Sequence, residues 1–220
     1  MSGPATVDRW SERYASVGED YLFGTAPNHF LQAQAHRLTP GQRALCVADG
    51  EGRNSVWLAE EGLQVTATEL SPVALHKAAR LAVARHATVE FVQADVLNWS
   101  WPEAHYDVVV AIFVQFVGPE GRDVLFEGMK RTLKPGGLLL MQGYTPKQLD
   151  YRSGGPSQIE NLYTATLLRE KFADFALIEL REHEAVLEEG MGHKGHSALI
   201  DLVARKLGWI EPGKGKMRGK

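Results

Sequence analysis

Hydrophobic residues in this chain fall in short unbroken runs separated by stretches with helical spacing. The first run, Ala44-Leu45-Cys46-Val47-Ala48, predicts a parallel strand covered on both faces. A helix follows around Val56 and Trp57 and stops at Gly62, a residue suited to the left-handed turn that ends helices. Residues 63–68 predict the second strand. Ser71-Pro72 then supplies an N-cap and a first-turn proline for a helix reaching about Arg85. Residues 89–92 predict a third strand ending at Ala94-Asp95, and 106–113, almost wholly apolar, a central fourth. A helix over 121–133 leads through the turn Lys134-Pro135-Gly136-Gly137 into a strand over 138–142.

The segment 146–162 contains Gly154-Gly155-Pro156 and reads as a loop, followed by a short helix at 164–171. Two extended runs, 175–188 and 196–206, close in sequence, predict an antiparallel hairpin at the sheet edge. Strands alternating with helices over about 100 residues imply an α/β, doubly wound, mostly parallel sheet. We expect one domain over 1–207. Residues 1–37, rich in aromatic residues, would cap it, and a disordered Gly/Lys-rich tail would occupy 208–220.

Composition narrows the class of function. The 220 residues are 44% hydrophobic and 23% charged, which is ordinary for a globular protein. The formal net charge is −3, so a broad phosphate-binding surface is not expected. No apolar run approaches the ~20 residues that span a bilayer, and the N-terminus lacks a signal-peptide core. The single cysteine, Cys46, lies mid-strand and has no internal disulfide partner, which fits a reducing cytoplasm and a structural role. No membrane and no nucleic-acid partner are expected; a monomer and a homodimer both fit.

Three strand ends carry the chemistry. After the first strand, Asp49-Gly50-Glu51-Gly52-Arg53-Asn54-Ser55 places two glycines before a helix N-terminus, where backbone can approach a ligand closely. Glu69 ends the second strand, nineteen residues after Gly50, the position from which a carboxylate holds a ribose diol. Asp95 follows the third strand and can accept from the exocyclic amine of an adenine. In a parallel sheet these ends face one crevice, so a nucleoside-containing cofactor is the sharp expectation.

The order VADGEGRN, TATELS, QADVLNW, YDVVVA and LKPGG resembles class I S-adenosylmethionine-dependent methyltransferases. The N-terminal stretch Trp10-Ser11-Glu12-Arg13-Tyr14, with Phe23-Gly24-Thr25-Ala26-Pro27-Asn28-His29-Phe30-Leu31, is similar to the branch containing the tellurite-resistance protein TehB and thiopurine methyltransferases. The turn Gly50–Asn54 and the closing Leu187-Glu188-Glu189-Gly190-x-x-His193-x-Gly195 are similar to the same branch. The resemblance covers about residues 8–206. It implies a Rossmann-like, seven-stranded sheet with an antiparallel C-terminal hairpin, S-adenosyl-L-methionine as cofactor and S-adenosyl-L-homocysteine as product.

Carried residue by residue, the resemblance puts Ala48, Asp49, Gly50, Gly52 and Asn54 beside the methionine part. Glu69 and Leu70 would meet the ribose and adenine, and Asp95 and Val96 would complete the adenine pocket. Ala111 and Phe113 would border the methyl group, with Trp10, Tyr14 and Phe23 closing over the cofactor. Ala48 stands where the family usually has an acid, and Asn54 where it usually has a third glycine.

A sulfonium is a good leaving group, so the protein has mainly to align nucleophile, methyl and sulfur in line. An acceptor such as a thiol would also need a base, for which His193 is the candidate, as base or substrate contact. Tyr144, Tyr151 and Arg152 follow the fifth strand and are candidates for the pocket of a small-molecule acceptor, a thiol, metalloid oxyanion or similar. His193-Lys194-Gly195-His196 lacks Cys or carboxylate partners, so no metal is expected. Against a nicotinamide dehydrogenase stand the G-x-G-x-x-S spacing and the lack of a second catalytic domain. A cofactor-binding protein without turnover and an RNA methyltransferase tethered by the tail are the alternatives.

Overall fold

The computed structural model describes residues 4–151 and 153–208; Arg152 and all but Gly208 of the tail expected over 208–220 lie outside the described residues. The strands are β1 (Arg43–Cys46), β2 (Gln64–Glu69), β3 (Val89–Gln93), β4 (Tyr106–Ile112), β5 (Leu133–Tyr144), β6 (Phe175–Glu189) and β7 (His193–Lys206). They form one sheet in the order β3-β2-β1-β4-β5-β7-β6. The first five are mutually parallel, and β7 runs antiparallel between β5 and β6. This is the seven-stranded sheet with an antiparallel C-terminal pair that the sequence implies.

The apolar runs are unbroken because both faces of the sheet are covered. On β4, Val108 and Val110 join one core with Ala44, Cys46, Leu58 and Leu140. Val109 and Ala111 face the other, with Leu45, Leu139, Phe126 and Phe172. Cys46 is buried in the first of these cores, and burial pushes its thiol pKa well up, which makes it a packing residue.

Helices α1 (Pro4–Ala15), α2 (His29–Ala33), α3 (Arg53–Glu60), α4 (Pro72–Ala84), α5 (Pro119–Thr132), α6 (Gln148–Tyr151) and α7 (Ala165–Lys171) surround the sheet. Ser71 caps α4 by accepting from the Ala74 N–H, with Pro72 in its first turn, and Thr164 caps α7 in the same way. Two details differ from the sequence reading. The expected loop 146–162 contains the one-turn α6 and a 3-10 turn, Ile159–Asn161. The turn at 134–137 is an irregularity within β5: Leu133 pairs with Tyr106, Gly136 takes φ +80°, and regular pairing resumes at Val108 and Leu138. No helix among the described residues is long and apolar enough to cross a membrane.

From β1 the chain winds outward through β2 and β3, then returns to the other side of β1 for β4 and β5. That reversal opens a crevice beyond the carboxyl ends of β1 and β4.

Candidate functional site

The crevice is a cleft of about 1020 Å³. At its floor, β1 ends in a turn where Ala48 and Gly50 both have positive φ and Gly52, also left-handed, caps α3. A Cβ on Gly50 would stand 2.8 Å from the Tyr14 hydroxyl, so backbone and aromatic ring meet there without room for a side chain. Gly52 serves packing: a Cβ would lie 2.7 Å from the Ala78 Cβ on α4, and the residue does not line the cleft.

Glu69 sits at the tip of β2 with both carboxylate oxygens engaged. Oε2 accepts the Gly50 N–H at 2.9 Å, and Oε1 accepts those of Leu70 at 2.9 Å and Ser71 at 2.8 Å. Burial raises its pKa, against the pull of these N–H groups. A carboxylate has about four lone-pair sites and these bonds use three, which leaves acceptor capacity in the cleft.

Asp49, between the glycines and Ala48, lines the same cleft with Oδ2 buried and unpartnered. Burial pushes its carboxyl up to about 7, although Ser55 and Arg53 oppose the shift. An orphaned buried carboxylate oxygen asks for a cation or a hydrogen-bond donor. S-adenosylmethionine carries an ammonium, a sulfonium and a ribose diol. The acceptor oxygens of Asp49 and Glu69, at adjacent strand ends, fit that set.

Trp10, Tyr14 and Phe23 form the upper wall. Trp10 stacks on Tyr14 with centroids 5.8 Å apart, Tyr14 meets Phe23 edge-on at 6.2 Å, and the Arg13 guanidinium lies over both Trp10 and Phe23. Asn54, Leu70, Asp95, Val96 and Phe113 also line the cleft. Ala111 does not: it is buried in the sheet core, and Ile112, the last residue of β4, and Phe113, just beyond it, reach the cleft instead. Tyr151 points away, its hydroxyl donating to Glu184 and its ring against His196, so it is not in the cleft wall.

At the other end, Tyr144 and His193 complete the wall. The His193 ring lies 4.4 Å from Phe23, 4.4 Å from Phe113 and 5.9 Å from Tyr144, centroid to centroid. Burial lowers its pKa; Glu189 opposes that, while Arg53 and Arg13 add to it, so the balance favours the neutral ring. The Tyr144 hydroxyl is buried without a partner and burial raises its pKa strongly.

Sequence reasoning missed the polar network beneath this wall. Glu189 accepts from Arg53 Nη2 at 2.7 Å and from Asn28 Nδ2 at 3.0 Å. Asn28 Nδ2 also donates to Gln142 at 2.7 Å, and Gln142 Nε2 donates to Asp201 at 2.7 Å. Burial alone would raise the Glu189 carboxyl, but His193 and Arg53 outweigh it and hold it at about 2. The signal was present as Arg53 in the glycine turn and Glu189 before the hairpin turn, but nothing in their spacing joined them. Gln115, also missed, bridges the backbone of Tyr144 on both sides, accepting from its N–H and donating to its carbonyl.

Comparison with known proteins bears on this geometry. Residues 44–137 match the family model described as a methyltransferase domain. The chain is similar to a demethylmenaquinone methyltransferase of Clavibacter sepedonicus, 33% identical over 126 residues, covering 57% of this chain and 49% of that protein. It is also similar to an uncharacterized methyltransferase of Synechocystis, 28% identical over 114 residues, covering 51% and 52%. The chain thus spans about half the length of the curated relatives it matches. Among solved structures, TehB from Haemophilus influenzae superposes with TM-score 0.70 at 18% identity, covering 90% of this chain and 67% of that one. A structure described under conversion of a disulfide bond into a thioacetal group in echinomycin biosynthesis gives TM-score 0.75 at 19% identity, covering 93% and 94%. Likeness at this identity establishes the fold.

Proposed function

We propose that this chain, whose residues 44–137 match a methyltransferase domain model, is a class I S-adenosylmethionine-dependent enzyme that moves a methyl group to a small-molecule nucleophile by in-line displacement. The observation that carries the reading is the pairing of Glu69 with the Gly50 N–H across two strand ends, beside the orphaned Asp49 oxygen. S-adenosylmethionine, when bound, supplies a methyl group on a positively charged sulfur.

The protein's own work is then alignment and exclusion of water. Glu69 would hold the ribose hydroxyls, and Asp49 the ammonium. Trp10, Tyr14 and Phe23 would cover the cofactor from the N-terminal side. Tyr144, Phe113 and His193 would wall the acceptor. Orientation of this kind supplies roughly 7–11 kcal/mol of a displacement barrier. A neutral His193 can take a proton from a thiol or similar group, and the desolvating aromatic wall favours a small, polarizable acceptor. The Gly50–Asn54 turn and the segment 187–195 support placement in the branch that holds TehB and the thiopurine methyltransferases.

Calorimetric titration with S-adenosylmethionine and S-adenosylhomocysteine tests the reading. We expect micromolar binding to the wild type and loss of ~1.5–3 kcal/mol in Glu69→Ala, the worth of a hydrogen bond to a charged group. Folded wild-type protein that binds neither compound would overturn it. Binding with no product across thiol, metalloid oxyanion and halide acceptors would favour a cofactor-binding protein without turnover.

A further inference from the structure

Glu189 and His193 flank the turn between β6 and β7, and three groups surround the Glu189 carboxylate. Arg53 Nη2 is at 2.7 Å, Asn28 Nδ2 at 3.0 Å and His193 Nδ1 at 3.8 Å. We propose that Glu189 is a positioning residue for acceptor deprotonation: its carboxylate draws the imidazole proton of His193 to Nδ1 and leaves Nε2 as the ring's proton acceptor. The role in methyl transfer rests on the function proposed above; the tautomer does not.

A neutral imidazole has one N–H and one bare nitrogen, and the partner of one nitrogen decides the state of the other. The charged and titratable groups facing the ring are Glu189 beside the turn, Arg53 on α3, Arg13 on α1 and Tyr144 on β5. Among the described residues, Glu189 is the anion within 4 Å of Nδ1. A bare Nδ1 would set its lone pair against the carboxylate, whereas an N–H there is attracted. The separation of 3.8 Å is an ion-pair contact, longer than a hydrogen bond, and leaves Nδ1 unpartnered. Such contacts in catalytic groups commonly tighten when the site fills.

The anchor cannot swing away. Arg53 holds Oε2, Asn28 holds Oε1, and Asn28 is itself tied to Gln142 and to the N–H of Leu31. The ring is fixed in turn by Phe23 and Phe113. Arg53 has a second effect: its charge offsets the carboxylate, so the ring is oriented without being driven to its protonated form. When a thiol is the acceptor, its S–H bond breaks with both electrons left on sulfur, and the proton goes to Nε2. The resulting imidazolium is paired with Glu189 and returns the proton to water.

The tautomer is directly readable. Two-bond 15N–1H correlation spectra of the full chain at pH 8 would identify the His193 ring by its loss in His193→Gln. We expect Nδ1–H in the wild type. In Glu189→Met the ring should revert to the Nε2–H form that a free histidine side chain prefers. Nε2–H in the wild type, or Nδ1–H retained in folded Glu189→Met, would overturn the proposal. The wild-type spectrum decides even where Glu189→Met does not fold. Because neither cofactor nor acceptor is present, this outcome is separate from failure of the cofactor titration.

Discussion

Arg53 and Glu189 are 136 residues apart in sequence and 2.7 Å apart in space, both buried. One opens the helix behind the glycine turn; the other ends the first strand of the C-terminal hairpin. The pair therefore bolts the glycine-turn side of the cleft to the hairpin side.

Breaking it from one side should be costly. Arg53→Ala leaves a buried carboxylate without its cation, a loss of ~3–5 kcal/mol for such pairs. Urea denaturation would measure it. The double variant Arg53→Met/Glu189→Met should lose less than Arg53→Ala alone, because no charge is stranded.

Asp49 should impose a pH dependence on the protein without ligand. Its folded pKa of about 7 lies above the ordinary 3.8. The folded state therefore binds the extra proton between those values, and stability falls as pH rises from about 4 to 7. Asp49→Asn removes the titration. Melting curves should show the variant gaining on the wild type across that window, by ~1–4 kcal/mol, and the gap levelling above pH 8.

The two glycines of the turn should fail differently. Gly52→Ala drives a methyl into helix α4 at positive φ, so a loss of ~1–3 kcal/mol in stability is expected by denaturation. Gly50→Ala carries the same left-handed strain, about 1 kcal/mol, but meets only the end of the Tyr14 side chain rather than a helix, so it should cost less stability than Gly52→Ala and show mainly as weaker cofactor binding by calorimetry.

His193→Ala should separate binding from chemistry. Cofactor affinity should stay within about threefold of wild type. Methylation of 2-mercaptoethanol, largely protonated at pH 7, should slow by about 10²-fold or more, the usual worth of a general base. Methylation of 5-thio-2-nitrobenzoate, already a thiolate, should be slowed far less. Equal losses on both would remove the base role.

Much of the frame could be read from the chain. Apolar runs marked β1 and β4 because both faces of those strands are covered, and Ser71-Pro72 marked the start of α4 because capping is local chemistry. The convergence of Gly50, Glu69 and Asp95 on one cleft was legible because a parallel sheet sends its carboxyl ends to one side. Ala111 shows the limit: a one-residue step along β4 decides between core and cleft, and the run 106–113 carries no mark of which residue faces which way. Asn28, Gln142 and Glu189 were illegible as a network because their contacts depend on tertiary approach, with 114 and 161 residues between partners.

The order of assembly follows from where the hairpin lies. A chain emerging from the ribosome completes the matched segment 44–137 long before Glu189 and His193 appear. Until then Arg53 lacks its anion, Asn28 lacks one of its two side-chain acceptors, and the edge of β5 that will pair with β7 is open. A chain interrupted before the hairpin thus exposes that edge to other unfinished copies, and the synthesis of residues 175–206 both completes the wall of the cleft and ends the exposure.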